Sequence, residues 1–96
     1  MNQYTVDNNE QSQRFEIREG DEPAYLEYRY FKNEVALMHT FVPQKLEGKG
    51  IASTLAHYAL EWAKEQQKTV IVYCPFVAAY LKRHAEYNSI IDKNYR

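Results

Sequence analysis

Between Glu34 and Tyr73 the hydrophobic period changes twice, and that order restricts the fold more than any other feature of the chain. Glu34 to Val42 (EVALMHTFV) alternates with period two. Val35, Leu37, His39 and Phe41 fall on one face, and Ala36, Met38, Thr40 and Val42 on the other. Both faces are largely apolar, which predicts a central strand covered on both sides. Ile51 to Gln67 (IASTLAHYALEWAKEQQ) then follows a 3.6-residue period. Ile51, Leu55, Tyr58, Ala59 and Trp62 share one face; Ser53, His57, Glu61, Lys64 and Glu65 share the other. Thr69 to Tyr73 (TVIVY) is a short β-branched run of the kind found in buried strands. Strand, helix and strand in that order predict a βαβ unit, with parallel strands and a right-handed crossover.

Upstream, Gln13 to Arg18 (QRFEIR) and Ala24 to Phe31 (AYLEYRYF) alternate as strands. Glu19-Gly20-Asp21-Glu22-Pro23 supplies one turn and Lys32-Asn33 the next. Connections this short predict an antiparallel meander feeding the βαβ unit. Residues 1–12 are polar and rich in Asn and Gln, and read as a loose arm with room for a short edge strand. Downstream, Pro75 suits the first position of a second helix over Phe76 to His84 (FVAAYLKRH). The tail from Ala85 to Arg96 holds Tyr87, Ile90 and Ile91, which predict one more packed turn or extended segment. The expected class is α/β: a meander, a βαβ unit and a short C-terminal helix, in one domain over residues 1–96. A chain of 96 residues buries roughly 65% of its unfolded surface, enough for a modest core. Nine tyrosines, four phenylalanines and one tryptophan are available to fill it.

Charge and cysteine usage exclude several functions. The formal net charge is -1 and no Lys/Arg run exists, so nucleic acid is not an expected partner. No stretch approaches the ~18 apolar residues of a membrane span. The opening MNQYTVDNNEQSQRF lacks the basic and apolar blocks of a secretory leader. A single cysteine, Cys74, forbids an internal disulfide and fits a reducing compartment, so a cytoplasmic location is expected. Three histidines and one cysteine without ligand spacing indicate no metal site.

Gly48 and Gly50 stand where the first strand of the βαβ unit hands over to its helix. A helix N-terminus carries unpaired N–H groups and the positive end of the dipole. Glycines there let the backbone approach a ligand, so the segment can cradle a pyrophosphate. The alternative is a tight turn that simply needs glycine. It is not a Walker A loop, because Gly50 follows Lys49 where Ser or Thr is required. It is not the dinucleotide fingerprint, which needs a third glycine.

The stretch HTFVPQKLEGKGIASTL, from His39 to Leu55, resembles the acyl-CoA signature of the GNAT acetyltransferase superfamily. The central pattern, Gln/Arg-x-x-Gly-x-Gly/Ala, is met by Lys45-Leu46-Glu47-Gly48-Lys49-Gly50, with Lys45 where Gln or Arg is usual. A second block, YCPFVAAYLKRHAEY from Tyr73 to Tyr87, resembles a compact GNAT-like N-acetyltransferase subfamily. The resemblance covers roughly Glu34 to Ile91 and implies a GNAT-like fold. It implies acetyl-CoA as co-substrate, with pyrophosphate on the backbone of Leu46, Glu47, Gly48, Lys49, Gly50, Ile51 and Ala52. The pantetheine arm would pair with the strand near His39 to Val42, where it splays from Thr69–Tyr73, and pass Cys74 and Pro75. Arg83, with Lys82 and His84, would either offer charge to the phosphates or form a solvated helix end. Larger GNAT proteins carry N-terminal helices that shape an acceptor pocket; without them the acceptor site is expected to be open or completed by another subunit.

Three side chains are candidates for the acyl chemistry. Cys74 ends a strand beside a helix N-terminus, a position that favours a thiolate. It is a covalent acetyl carrier, a lining residue of the thiol site, or an inert buried cysteine. His39 is a general base for the acceptor amine or the Cys74 thiol, or a satisfied core residue. Tyr80 matches the tyrosine that protonates departing CoA thiolate in many GNAT proteins, or is an aromatic of the helix core. His57 reads as surface. The expected activity is acetyl transfer to an amine, directly or through Cys74. A non-catalytic CoA-binding module and a protein-interaction domain are the alternatives.

Overall fold

The computed structural model describes residues 4–93. Five strands form one sheet in chain order: β1 (Asp7–Asn9), β2 (Arg14–Ile17), β3 (Ala24–Phe31), β4 (Glu34–Phe41) and β5 (Thr69–Val72). The first four pair antiparallel, as the short turns require. β5 lies parallel to β4, from Glu34↔Thr69 to Leu37↔Val72, across the helix α1 (Ile51–Glu65). The meander and βαβ unit are therefore as the periodicities predict. The polar N-terminal arm is not loose from Asp7 onward, because β1 zips onto β2 and Tyr28 Oη donates to Asn8 Oδ1 at 2.7 Å.

α1 packs its apolar stripe on one face of the sheet, where Ile51, Leu55, Ala56, Ala59, Leu60 and Ala63 are buried. Phe15 of β2 stacks on Tyr28 at 4.7 Å and meets the edges of Tyr58 and Trp62 at 5.4 and 5.3 Å. Each such large apolar side chain contributes about 1.5–3 kcal/mol by leaving water. α2 (Pro75–Arg83) joins the same core through Val77. A 3₁₀ segment, Ala85–Ile90, then buries Tyr87. Ile91 bridges in parallel to Val70, and Asp92 N donates to Val70 O at 2.8 Å.

One expectation fails. β4 is not covered on both sides: Met38 is 36% exposed and His39 is exposed. The cause is a bulge. Glu27 faces His39 but Tyr28 faces Leu37, so Met38 is an extra residue on β4. The insertion swaps the faces beyond it. Leu37 is buried with the helices, yet His39 turns to the opposite face, with its ring 6.2 Å from that of Tyr25. Thr40, and not His39, continues the helix-side row.

Candidate active site

The parallel ladder stops early. Tyr73 N and Cys74 N both donate to Leu37 O at 3.0 Å, after which the chain leaves the sheet to start α2. β4 runs on to Phe41, and among the described residues no strand pairs it there on the β5 side. Its outer backbone groups between Met38 and Phe41 are left for another partner.

Pro43 and a 3₁₀ turn (Gln44–Leu46) lead from β4 to the glycines. Leu46 is packed into the core and fixes this loop from below. Tyr4 Oη donates to Lys49 O at 2.9 Å and holds it from outside. Gly48 and Gly50 both have positive φ, at 78° and 77°. A Cβ added at either meets nothing within 4 Å. The glycines thus answer a conformational need and leave the space above them open. Gly50 is the N-cap of α1, with no side-chain cap and no acidic residue in the first turn. The positive end of a 15-residue helix therefore faces outward with no acidic residue in its first turn, and the carboxylate nearest it in the groove lining is that of Glu47.

That end opens on a groove of about 240 Å³, lined by Val42, Leu46, Glu47, Gly48, Gly50, Ile51, Ala52, Ser53 and Phe76. Ser53 and Phe76 also line a hollow of about 470 Å³, continued by Ala79, Tyr80, Arg83 and His84. The two run on from one another, from the end of β4 along the cleft between α1 and α2. The Tyr80 and His84 rings stack at 4.0 Å. Burial first, then the charges of Glu86 and Glu61, push the Tyr80 hydroxyl above its ordinary value. It stays protonated at neutral pH and is able to give a proton.

The predicted residues do not all meet. Val42, the glycine loop, Tyr80 and Arg83 share this surface. Lys82 is on the opposite flank of α2, in a separate hollow with Val72 and Leu81. Cys74 is the N-cap of α2, 2% exposed, and hydrogen-bonded to Thr40 Oγ1 at 3.0 Å. His39, one residue from Thr40, stands on the other face of the sheet beside Tyr25. Sequence reading missed Thr40, Ser53 and Phe76. The position of Phe76, directly after a helix-opening proline, was the available signal for one of them. His57 is exposed, but is not merely surface: its Nδ1 is hydrogen-bonded to Tyr87 Oη at 3.2 Å. The same hydroxyl donates to Glu61 Oε2 at 2.5 Å and fastens the C-terminal segment to α1. Among the described residues no cluster of His, Cys, Asp and Glu could hold a metal.

A strand splayed from its parallel neighbour beside an uncapped, glycine-opened helix defines a class. Residues 14–90 match the GCN5-related N-acetyl-transferase family, so the chain belongs to that family and is an acetyltransferase by class. The mouse protein NATD1 is 33% identical over 82 residues, which span 82% of this chain and 74% of NATD1. The solution structure of a GCN5-like candidate N-acetyltransferase from Staphylococcus aureus superposes with a TM-score of 0.73 at 25% identity. That match covers 96% of this chain and 91% of the other. The GNAT-like fold expected from the sequence is the fold observed.

Proposed function

We propose that the protein transfers an acetyl group from acetyl-CoA to an amine. The observation that carries this reading is the outward-facing N-terminus of α1, whose positive-φ glycines open on a groove that continues to Tyr80. The backbone N–H groups of Gly48, Gly50, Ile51 and Ala52 bind the pyrophosphate. Arg83, at the far end, is placed for a further phosphate. The free outer edge of β4 from His39 to Val42 holds the amides of the pantetheine arm, and its N–H groups polarise the thioester carbonyl.

The acceptor amine attacks that carbonyl. An N–C bond forms, the C–S bond breaks, and the amine proton passes to His39 or water. Tyr80 supplies the proton taken up by the departing thiolate. Direct transfer is favoured over an acetyl-Cys74 intermediate, because Cys74 is 2% exposed and engaged by Thr40. Its place beside Pro75 makes it a wall of the sulfur site. The free thiol agrees with a cytoplasmic, reducing setting.

Calorimetric titration of acetyl-CoA, with Gly48→Asp as control, tests the reading. A carboxylate in the phosphate cradle should abolish saturable binding while circular dichroism stays native. No binding at millimolar acetyl-CoA by the folded wild type would overturn it. Turnover retained by Cys74→Ser is the expected result for direct transfer, and its loss would restore the covalent route.

A further inference from the structure

Both helices and the core occupy one face of the sheet, and the other face is bare among the described residues. Phe15 and Ile17 of β2 point into the core, so Glu16 between them stands on the bare face, yet it is 2% exposed. Its partners cover it. Arg14 Nε and Nη2 donate to Glu16 Oε2 at 3.0 and 2.7 Å, Arg18 Nη2 donates to Oε1 at 3.0 Å, and Asn9 Nδ2 reaches Oε2 at 3.4 Å. A buried ion pair is weak evidence for stability, since apolar side chains of similar volume often do as well. What this one does is fix a plane. Two N–H groups of Arg14 are tied to the carboxylate, so the flat guanidinium is held in one orientation. It lies 4.3 Å over the ring of Tyr25. Tyr25 in turn meets the ring of Phe41 at 5.5 Å and that of His39, edge to face, at 6.2 Å.

We propose that Glu16, Arg14 and Tyr25 are positioning residues, which hold the His39 ring beside the splay of the sheet so that His39, and not water, takes the proton of the acceptor amine. The catalytic part of this role rests on the acetyl-transfer reading above; the clamp itself does not. The register places the parts. Arg14 faces Glu27, Glu27 faces His39, and Tyr25 faces Phe41, so these side chains share one face across three adjacent strands. The bulge at Met38 is what turns His39 onto it. Among the described residues the His39 ring has one aromatic neighbour, Tyr25, and its nitrogens make no hydrogen bond. A general base needs a nitrogen that is not engaged and a ring that does not wander. Glu27, the direct cross-strand neighbour, is taken by Arg29 Nη2 at 3.1 Å and makes no hydrogen bond to the imidazole. The orientation therefore comes from Tyr25. On the other side of His39 the β5 ladder has already ended at Leu37, which leaves the approach open where the proposed thioester lies. There the amine proton passes to a His39 nitrogen as the N–C bond forms, and Tyr80 protonates the sulfur as the C–S bond breaks.

Two measurements on the full chain test this. In nuclear magnetic resonance spectra of the histidine rings, the wild type should show a His39–Tyr25 ring contact. Arg14→Met and Glu16→Leu should lose it while circular dichroism stays native, and Tyr25→Phe should keep it. A contact that persists without Arg14 would overturn the clamp. The second measurement is a double-mutant cycle, with acetyl-CoA and n-butylamine as probes and released thiol as the signal. An unhindered amine suits an acceptor side that is open. Arg14→Met and Glu16→Leu should each lower kcat by ~10–100-fold, with the KM for acetyl-CoA within ~2-fold of the wild type. In a His39→Ala background the same changes should cost less than ~2-fold more, because they act through His39. Tyr25→Phe should recover most of what Tyr25→Leu loses. A further loss of full size in the His39→Ala background, or an Arg14→Met variant with the kcat of the wild type, would overturn the positioning role and leave acetyl transfer standing. A wild type that binds no acetyl-CoA would sink the acetyl-transfer reading, and the catalytic part of this role with it.

Discussion

Gly48→Ala and Gly50→Ala separate backbone conformation from crowding in the loop. Both glycines have φ near +78° and a Cβ there touches nothing within 4 Å, so no steric clash is expected. What remains is the left-handed conformation, which costs an L-residue ~1–2 kcal/mol. Alanine also stiffens the unfolded chain, which returns about 0.4–1 kcal/mol. The net expectation is a loss of ~1 kcal/mol for each variant, or about 4–8 °C in Tm for a domain of this size. Gly48→Asn should lie within ~0.5 kcal/mol of the wild type, because Asn tolerates this region. Urea unfolding followed by far-ultraviolet circular dichroism measures all three. A neutral or stabilising Gly50→Ala would show that the loop is not held at positive φ. A loss above ~3 kcal/mol would show that a side chain there meets protein after all. If the proposed cradle is right, the alanine variants also lose acetyl-CoA affinity well beyond the fraction unfolded, because the methyl enters the space left for the ligand.

Alkaline titration at 295 nm should separate the tyrosines. Burial, then the charge of Tyr30, pushes Tyr28 up to about 12, and burial with the Glu61 hydrogen bond raises Tyr87 further. The stability these hydroxyls contribute is intact below about pH 10 and is lost as pH rises through their folded values, so they should ionise only as the protein unfolds. Reversible titration of all nine tyrosines near pH 10 with native circular dichroism would refute this. Tyr87→Phe should cost ~1.5–3 kcal/mol, as the hydrogen bond to the charged Glu61 is lost together with the one to His57. It should also flatten the acid limb of stability. The Tyr87 hydrogen bond holds Glu61 below its ordinary 4.5, so that contribution is present above pH 4.5 and lost as pH falls through the lowered value. Thr40→Val should destabilise by ~1 kcal/mol in urea and Thr40→Ser by less, since only the latter keeps a partner for Cys74.

The βαβ unit was legible because its two periods are long and unmixed, and Pro75 and the glycines marked the handovers. The bulge was not. Strict alternation put His39 with Leu37, whereas one inserted residue, Met38, sends His39 to the open face and brings Thr40 to Cys74. Nothing in EVALMHTFV announces a bulge, since the residues on either side are apolar in both registers. The bare face was hidden for the same reason: Met38 and Tyr73 lie in runs that read as covered strands, and pattern alone cannot tell a covered face from an open one. The glycine loop, Tyr80 and Arg83, singled out from local motifs, line neighbouring hollows because local motif and local structure coincide there. Phe76 and Ser53 join them only through the packing of α2 on α1, a contact between segments far apart in the chain.

The bridge from Ile91 to Val70 has a consequence for how the chain avoids its own copies in the wrong geometry. An exposed edge of a sheet offers a row of donors and acceptors on which further strands, and eventually fibrils, can grow. Here the outer side of β5 is occupied by the protein's own C-terminal segment, through that bridge and the Asp92 N–H. At the other margin β1 is only three residues long, too short to template much. Open-ended growth along the hydrogen-bonding direction is thereby discouraged at both margins.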